Sequence, residues 1–121
     1  MGTNYYVKVL DLNLNKELFK TEIDSILNII NLEMSTYIDS SEISRFNKLS
    51  PEIEFDISEG FYKVIERSIY FYQLTNGAFD PTIGPLIDLW GFSKDGYLEK
   101  IPSKNKIDST LILLGMDNLH I

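Results

Sequence analysis

The sequence predicts an α+β fold in which helices pack on a small mixed or antiparallel sheet. Residues 16–36 and 59–75 repeat apolar side chains at steps of three and four, the period of an amphipathic helix. Residues 4–12 are rich in Val and Tyr and partly alternate, the period of a half-buried strand. Residues 117–121 look like the start of another strand.

Each element follows from its residues. Tyr5, Val7 and Val9 fall on one face of the first expected strand. Asn15 is placed to cap the first long helix, whose apolar stripe is Phe19, Ile23, Ile26, Leu27, Ile30 and Met34. Asp39-Ser40-Ser41-Glu42 has the form of a capping box, with Asp39 at the N-cap, and predicts a short helix through Ile43 and Phe46. Pro51 and the polar residues before it mark a loop. Ser58 can cap the second long helix, with a core face of Phe61, Val64, Ile65, Ser68 and Tyr72. Asn76-Gly77 ends it, and Gly77 suits the left-handed C′ position. Residues 78–93 contain Pro81, Gly84 and Pro85 yet are mostly apolar. That combination predicts a buried or pocket-lining segment, with Pro85 in the first turn of a short helix toward Trp90. Residues 94–102 form a polar loop with Asp95-Gly96, and Ser103 can cap a further helix over 104–114, ended by Gly115. The chain starts directly on a tight motif and stops inside the apolar Leu119-His120-Ile121, so both ends have the look of cuts.

Composition narrows the function. The 121 residues are 44% hydrophobic and 24% charged, a soluble globular balance suited to one domain. The net charge of −7 argues against a nucleic-acid partner, which would need basic groups to displace counterions. Without cysteine there are no disulfides, thiolate nucleophiles or Cys-based zinc sites. The single histidine, His120, lies at the end, which disfavours a His-based triad or metal cluster. Met1-Gly2-Thr3 carries neither part of a signal peptide, and no apolar run is long enough for a transmembrane segment.

Four segments in order carry a resemblance. They are Met1-Gly2-Thr3 before a strand; Met34-Ser35-Thr36-Tyr37 at the end of the first helix; Ser41-Glu42-Ile43-Ser44-Arg45-Phe46-Asn47; and the long run Thr75-Asn76-Gly77-Ala78-Phe79-Asp80-Pro81-Thr82-Ile83-Gly84-Pro85-Leu86-Ile87-Asp88-Leu89-Trp90-Gly91-Phe92. Together they span the chain, which resembles the N-terminal part of the ApbE family of flavin transferases. The last segment is the most specific. Asp88 stands where the family commonly has Asn, and Ser93 where Gly is common; neither lies in the run that the resemblance implies contacts FAD.

The resemblance implies that residues 1–121 are the N-terminal part of a single transferase domain, an incomplete half of a larger ApbE-like, T-fold-like whole. It implies an FAD:protein FMN transferase, in which an acceptor threonine or serine hydroxyl attacks the FMN phosphorus of FAD and AMP leaves. It implies FAD contacts at Met1, Tyr37, Ala78, Phe79 and Asp80. Mg²⁺ would sit on the diphosphate, with its ligands in a later half, and no catalytic or metal residue is assigned here. The implied partners are FAD and a redox-subunit acceptor protein, and the implied location is extracytoplasmic, lipid-anchored at the cytoplasmic membrane.

Each candidate also has a plainer reading. Tyr37 can seal the core with a bonded hydroxyl. Asp80 before Pro81 is a common Asx-turn device. Gly77 and Ala78 can be small for packing alone. Trp90 and Phe92 read as core anchors, Glu42 as a helix cap, and Glu22 and Asp88 as solvated. Ser41 and Ser44 have no adjacent base and are not nucleophiles. Two other functions stay open: an FAD-binding or scavenging protein, and an FAD pyrophosphatase in which water replaces the acceptor.

Overall fold

The computed structural model describes residues 4–10, 13, 15–50, 52–92, 101–119 and 121. It divides into two compact units, Met1–Lys63 and Val64–Ile121. Among the described residues five helices run in order: α1 Lys16–Met34, α2 Glu42–Phe46, α3 Glu59–Leu74, α4 Gly84–Leu89 and α5 Lys104–Leu111, followed by a 3-10 turn at Met116–Asn118. The boundary between the units falls inside α3.

The expected sheet is not present. Among the described residues no strand forms, so the architecture is helical and the α+β expectation is corrected. The alternation at residues 4–10 marks a segment that joins neither helix nor ladder, since a strand also needs a neighbour to accept and donate its ladder bonds. Here the segment borders α1, and the Tyr5 hydroxyl donates to Asp24 Oδ1 at 2.5 Å. Val7 and Val9 remain 55% and 42% exposed, as expected where no sheet face buries them. At the other end Met116–Asn118 wind into the 3-10 turn, closed by a bond from Leu119 N to Met116 O. Residues 11, 12 and His120, parts of the two expected strands, lie outside the described residues.

In the first unit, Asn15 caps α1 as expected, its side chain accepting from Leu18 N at 3.1 Å. The apolar stripe of α1 is shallow: Phe19, Ile23, Leu27 and Met34 are half-buried, while Ile26 and Ile30 are exposed. The helix packs on α2. The N-cap of α2 is Ser41 and not Asp39, with Ser41 Oγ accepting from Ser44 N at 3.2 Å. Glu42 therefore opens the helix and turns elsewhere. Its carboxylate takes Ser58 N at 2.5 Å on one oxygen and Ser58 Oγ at 2.6 Å on the other. Ser58 Oγ in turn accepts from Phe61 N, so Ser58 caps α3 and Glu42 braces the cap. Phe46 meets Phe61 edge-on at 5.5 Å between centroids, and Phe61 is 3% exposed.

In the second unit, α3 ends in a Schellman motif. Asn76 N bonds to Gln73 O and Gly77 N to Tyr72 O. The left-handed C′ residue is Asn76, at φ 51°, and Gly77 follows at φ 79°, one place later than the sequence suggested. Pro85 lies in the first turn of α4, as expected, and α4 packs on α5. Trp90 and Phe92 are 39% and 65% exposed, so neither anchors a core here.

Candidate functional site

The second unit builds a cleft from the longest motif. The Schellman turn drops the chain off α3 onto Ala78-Phe79-Asp80. Thr75 Oγ1 accepts from Phe79 N at 2.9 Å, and the Phe79 ring stands against Phe71 at 6.1 Å. Asp80 makes the Asx turn of its plainer reading: Oδ1 accepts from Thr82 N at 2.8 Å and from Thr82 Oγ1 at 2.6 Å. Thr82 Oγ1 also accepts from Gly115 N at 2.7 Å, tying the turn to the segment after α5. Gly115 has φ 111°, and a Cβ there would stand 3.1 Å from the Tyr72 hydroxyl. The Tyr72 ring likewise covers Gly77, where a Cβ would meet it at 3.6 Å. Around these residues lies a cleft of about 430 Å³ lined by Tyr72, Gly77, Ala78, Asp80, Leu114 and Gly115, with further apolar walls from α4 and α5. Apolar walls with one carboxylate suit a flat, largely apolar ligand that carries a hydrogen-bond donor.

The first unit holds Tyr37 on a tight turn. Ile38 N bonds to Ser35 O at 3.2 Å, so Thr36 and Tyr37 are the central pair. Two buried hydroxyls join the same carbonyl: Ser41 Oγ donates to Ser35 O at 2.7 Å and Ser44 Oγ at 3.4 Å. Ser41 is fully buried, and the ring it helps to seat is 83% exposed. A large aromatic side chain at that exposure on a fastened turn offers a face for stacking.

Of the sequence-predicted contacts, Ala78, Phe79 and Asp80 come together in one turn of the second unit, and Tyr37 belongs to the first. Met1 lies outside the described residues. Sequence reasoning gave Thr82 and Gly115 no place at the site, reading Gly115 only as a helix end. The Asp-x-Thr spacing is a local signal for the first, while Gly115 joins from 33 residues away and leaves no local trace. A larger crevice of about 850 Å³ separates residues 4–9 from α1. Two of its charged groups are engaged with one another: Asp24 binds Lys20 at 2.5 Å, and it also accepts from the Tyr5 hydroxyl. Those bonds hold the Asp24 carboxyl below its ordinary range and raise both Lys20 and Tyr5. Among the described residues no group of three His, Asp or Glu side chains could hold a metal ion.

The ApbE family model matches residues 1–121. The chain is 37% identical over 125 residues to the FAD:protein FMN transferase of Haemophilus influenzae, covering all of this chain and 36% of that protein. It is 34% identical over 123 residues to the Vibrio cholerae protein of the same name, covering all of this chain and 37% of that one. Among solved structures, the flavin transferase ApbE of Vibrio cholerae superposes with a TM-score of 0.82 at 34% identity, over 89% of this chain and 35% of that one. The apo form of the Pseudomonas stutzeri flavinyl transferase ApbE gives 0.83 at 31% identity, over 96% of this chain and 37% of that one. The chain spans about a third of the length of the curated relatives it matches.

Proposed function

This chain belongs to the ApbE family, and we propose that it furnishes part of the FAD site of an enzyme that transfers FMN from FAD to a protein. The observation that supports this best is the cleft beside Asp80, built from the family's most specific motif and walled by apolar side chains. Tyr37 and the run Ala78-Phe79-Asp80 are the contacts we assign, with Met1 as a further one. A carboxylate repels a diphosphate, so Asp80 meets a neutral, donor-bearing part of FAD: a ribose hydroxyl or a ring N–H. Ala78 and Gly77 carry little or no side chain, which lets a ring approach the backbone.

In the proposed reaction an acceptor hydroxyl oxygen bonds to the FMN phosphorus. The bridging P–O bond breaks, AMP departs with the bridging oxygen, and the hydroxyl proton is released to that oxygen or to water. The acceptor hydroxyl, from threonine or serine, belongs to a redox-subunit protein. Mg²⁺ is the family's implied metal, but the described residues do not fit it, and no step here is routed through it. The chain's own contribution is to bind and orient FAD. The extracytoplasmic, lipid-anchored location is part of the same proposal and rests on the family resemblance; fractionation of expressing cells tests it.

Incubation of the full-length protein with FAD and a threonine-bearing acceptor distinguishes the readings. Transfer gives an acceptor heavier by one FMN and an equivalent of AMP. Free FMN with AMP and no adduct means hydrolysis, and FAD bound but unconsumed means storage; either result rejects the transferase reading.

A further inference from the structure

We propose that Thr82 is a positioning residue for FAD binding, which fixes the Asp80 carboxylate so that one oxygen serves the ligand. This rests on the reading of Asp80 as an FAD contact. Proton bookkeeping fixes the direction of each bond. A backbone N–H can only donate, so the Thr82 hydroxyl must accept from Gly115 N, at 2.7 Å. Its own hydrogen is then free, and an ionised carboxylate can only accept, so it goes to Asp80 Oδ1, at 2.6 Å. Thr82 N adds a second bond to the same oxygen at 2.8 Å. Both bonds fall on Oδ1, which leaves Oδ2 as the oxygen available to a ligand donor. The relay is anchored at both ends. Asp80 is tied to its own turn, and Gly115 holds a left-handed φ of 111° beside the Tyr72 hydroxyl. Asp80, Gly115 and Tyr72 line the cleft, and Thr82 does not. Thr82 therefore acts through Asp80 and not by touching the ligand. Bonds to an ionised acceptor are stronger and more directional than neutral ones, which suits them to fix a carboxylate plane.

The test is FAD affinity of the full-length protein by calorimetry, on Thr82→Val, Thr82→Ser, Asp80→Ala and the Asp80→Ala/Thr82→Val pair. Valine keeps the shape and removes the hydroxyl, so Thr82→Val is expected to weaken FAD binding roughly 5- to 10-fold, the scale of one lost hydrogen bond. Serine keeps the hydroxyl and should restore affinity to within about twofold of wild type. In the Asp80→Ala background, Thr82→Val should change nothing further. If Thr82→Val does not fold, Thr82→Ala carries the same expectation. Unchanged affinity in the hydroxyl-free variant, no rescue by serine, or an equal loss with and without Asp80 each overturns the positioning role while Asp80 keeps its own. Asp80→Ala binding FAD as tightly as wild type overturns the contact reading itself, and the positioning role with it.

Discussion

Four hydroxyls among the described residues do the same thing: each accepts a backbone N–H and passes its own hydrogen to an oxygen. Ser41 relays Ser44 N to the Ser35 carbonyl, Ser58 relays Phe61 N to Glu42, Thr75 relays Phe79 N to the Phe71 carbonyl, and Thr82 relays Gly115 N to Asp80. Each relay fastens a turn at low conformational cost, because Ser and Thr have one short rotor to fix. The turn held by Ser41 carries Tyr37. Removing that exposed ring should leave the fold intact and weaken FAD binding of the full-length protein by about 1–3 kcal/mol, the range for a lost aromatic or hydrogen-bonded contact. Calorimetric titration of Tyr37→Ala checks it; unchanged affinity in a folded variant would return Tyr37 to a purely structural role. Sequence made part of this legible. Asn15 and Ser58 sit where a polar side chain meets a free N–H in the first turn of an apolar repeat, a local rule. Ser41 was obscured by Asp39, because Asp-x-x-Glu fits the capping-box pattern and only packing shows that Glu42 is drawn away to Ser58. Thr82 was obscured because its second partner, Gly115, is distant in sequence.

At the scale of elements, the helices were legible and the strands were not. A 3.6-residue period can be satisfied by one segment against any apolar surface, so α1, α3 and the Pro85 turn of α4 appear close to their expected bounds. A two-residue period describes only half of a strand, since its backbone bonds belong to a partner. Residues 4–10 show the consequence: a segment outside any helix or ladder, tied to α1 by the Tyr5 side chain. That fixing depends on pH. Asp24 is held below its ordinary range by the hydrogen bonds from Lys20 and Tyr5, so its contribution is present above the unfolded aspartate pKa and lost as pH falls through the lower folded one. Lys20 and Tyr5 are raised, so their share is present at neutral pH and lost as alkali passes their folded values. NMR titration should place the Asp24 midpoint below that of a free aspartate, and Lys20→Ala should move it up. The brace between α2 and α3 is the stronger one. Glu42 is 7% exposed and serves two donors of Ser58, so Glu42→Ala strands both and should cost about 2–3 kcal/mol, measured by denaturant unfolding. Glu42→Gln keeps one acceptor oxygen and should cost less.

At the scale of the whole molecule, burial is thin. Among the described residues the buried apolar side chains are Phe61, Ile65 and Met116, while Ile26, Ile29, Tyr70, Phe71, Trp90, Phe92 and Ile112 are each more than a third exposed. Burial of a large apolar side chain contributes about 1.5–3 kcal/mol, and cooperativity grows with how many are buried together. A polypeptide of residues 1–121 alone should therefore melt broadly and bind a hydrophobic dye before heating. The same thinness bears on activity. The described residues offer no three-carboxylate or histidine cluster for a metal, and the net charge of −7 works against an unassisted diphosphate. On the proposed reading, the walls and one acceptor of the cleft beside Asp80 orient a ring but are too little to stabilise charge developing on a phosphorus. Orientation and charge stabilisation are separable here. The prediction is that residues 1–121, purified alone, attach no FMN to a threonine-bearing acceptor in the presence of FAD and Mg²⁺. Mass spectrometry of the acceptor reads the result. An FMN adduct formed at the rate of the full-length protein would place the charge-stabilising groups within these 121 residues and overturn the division of labour.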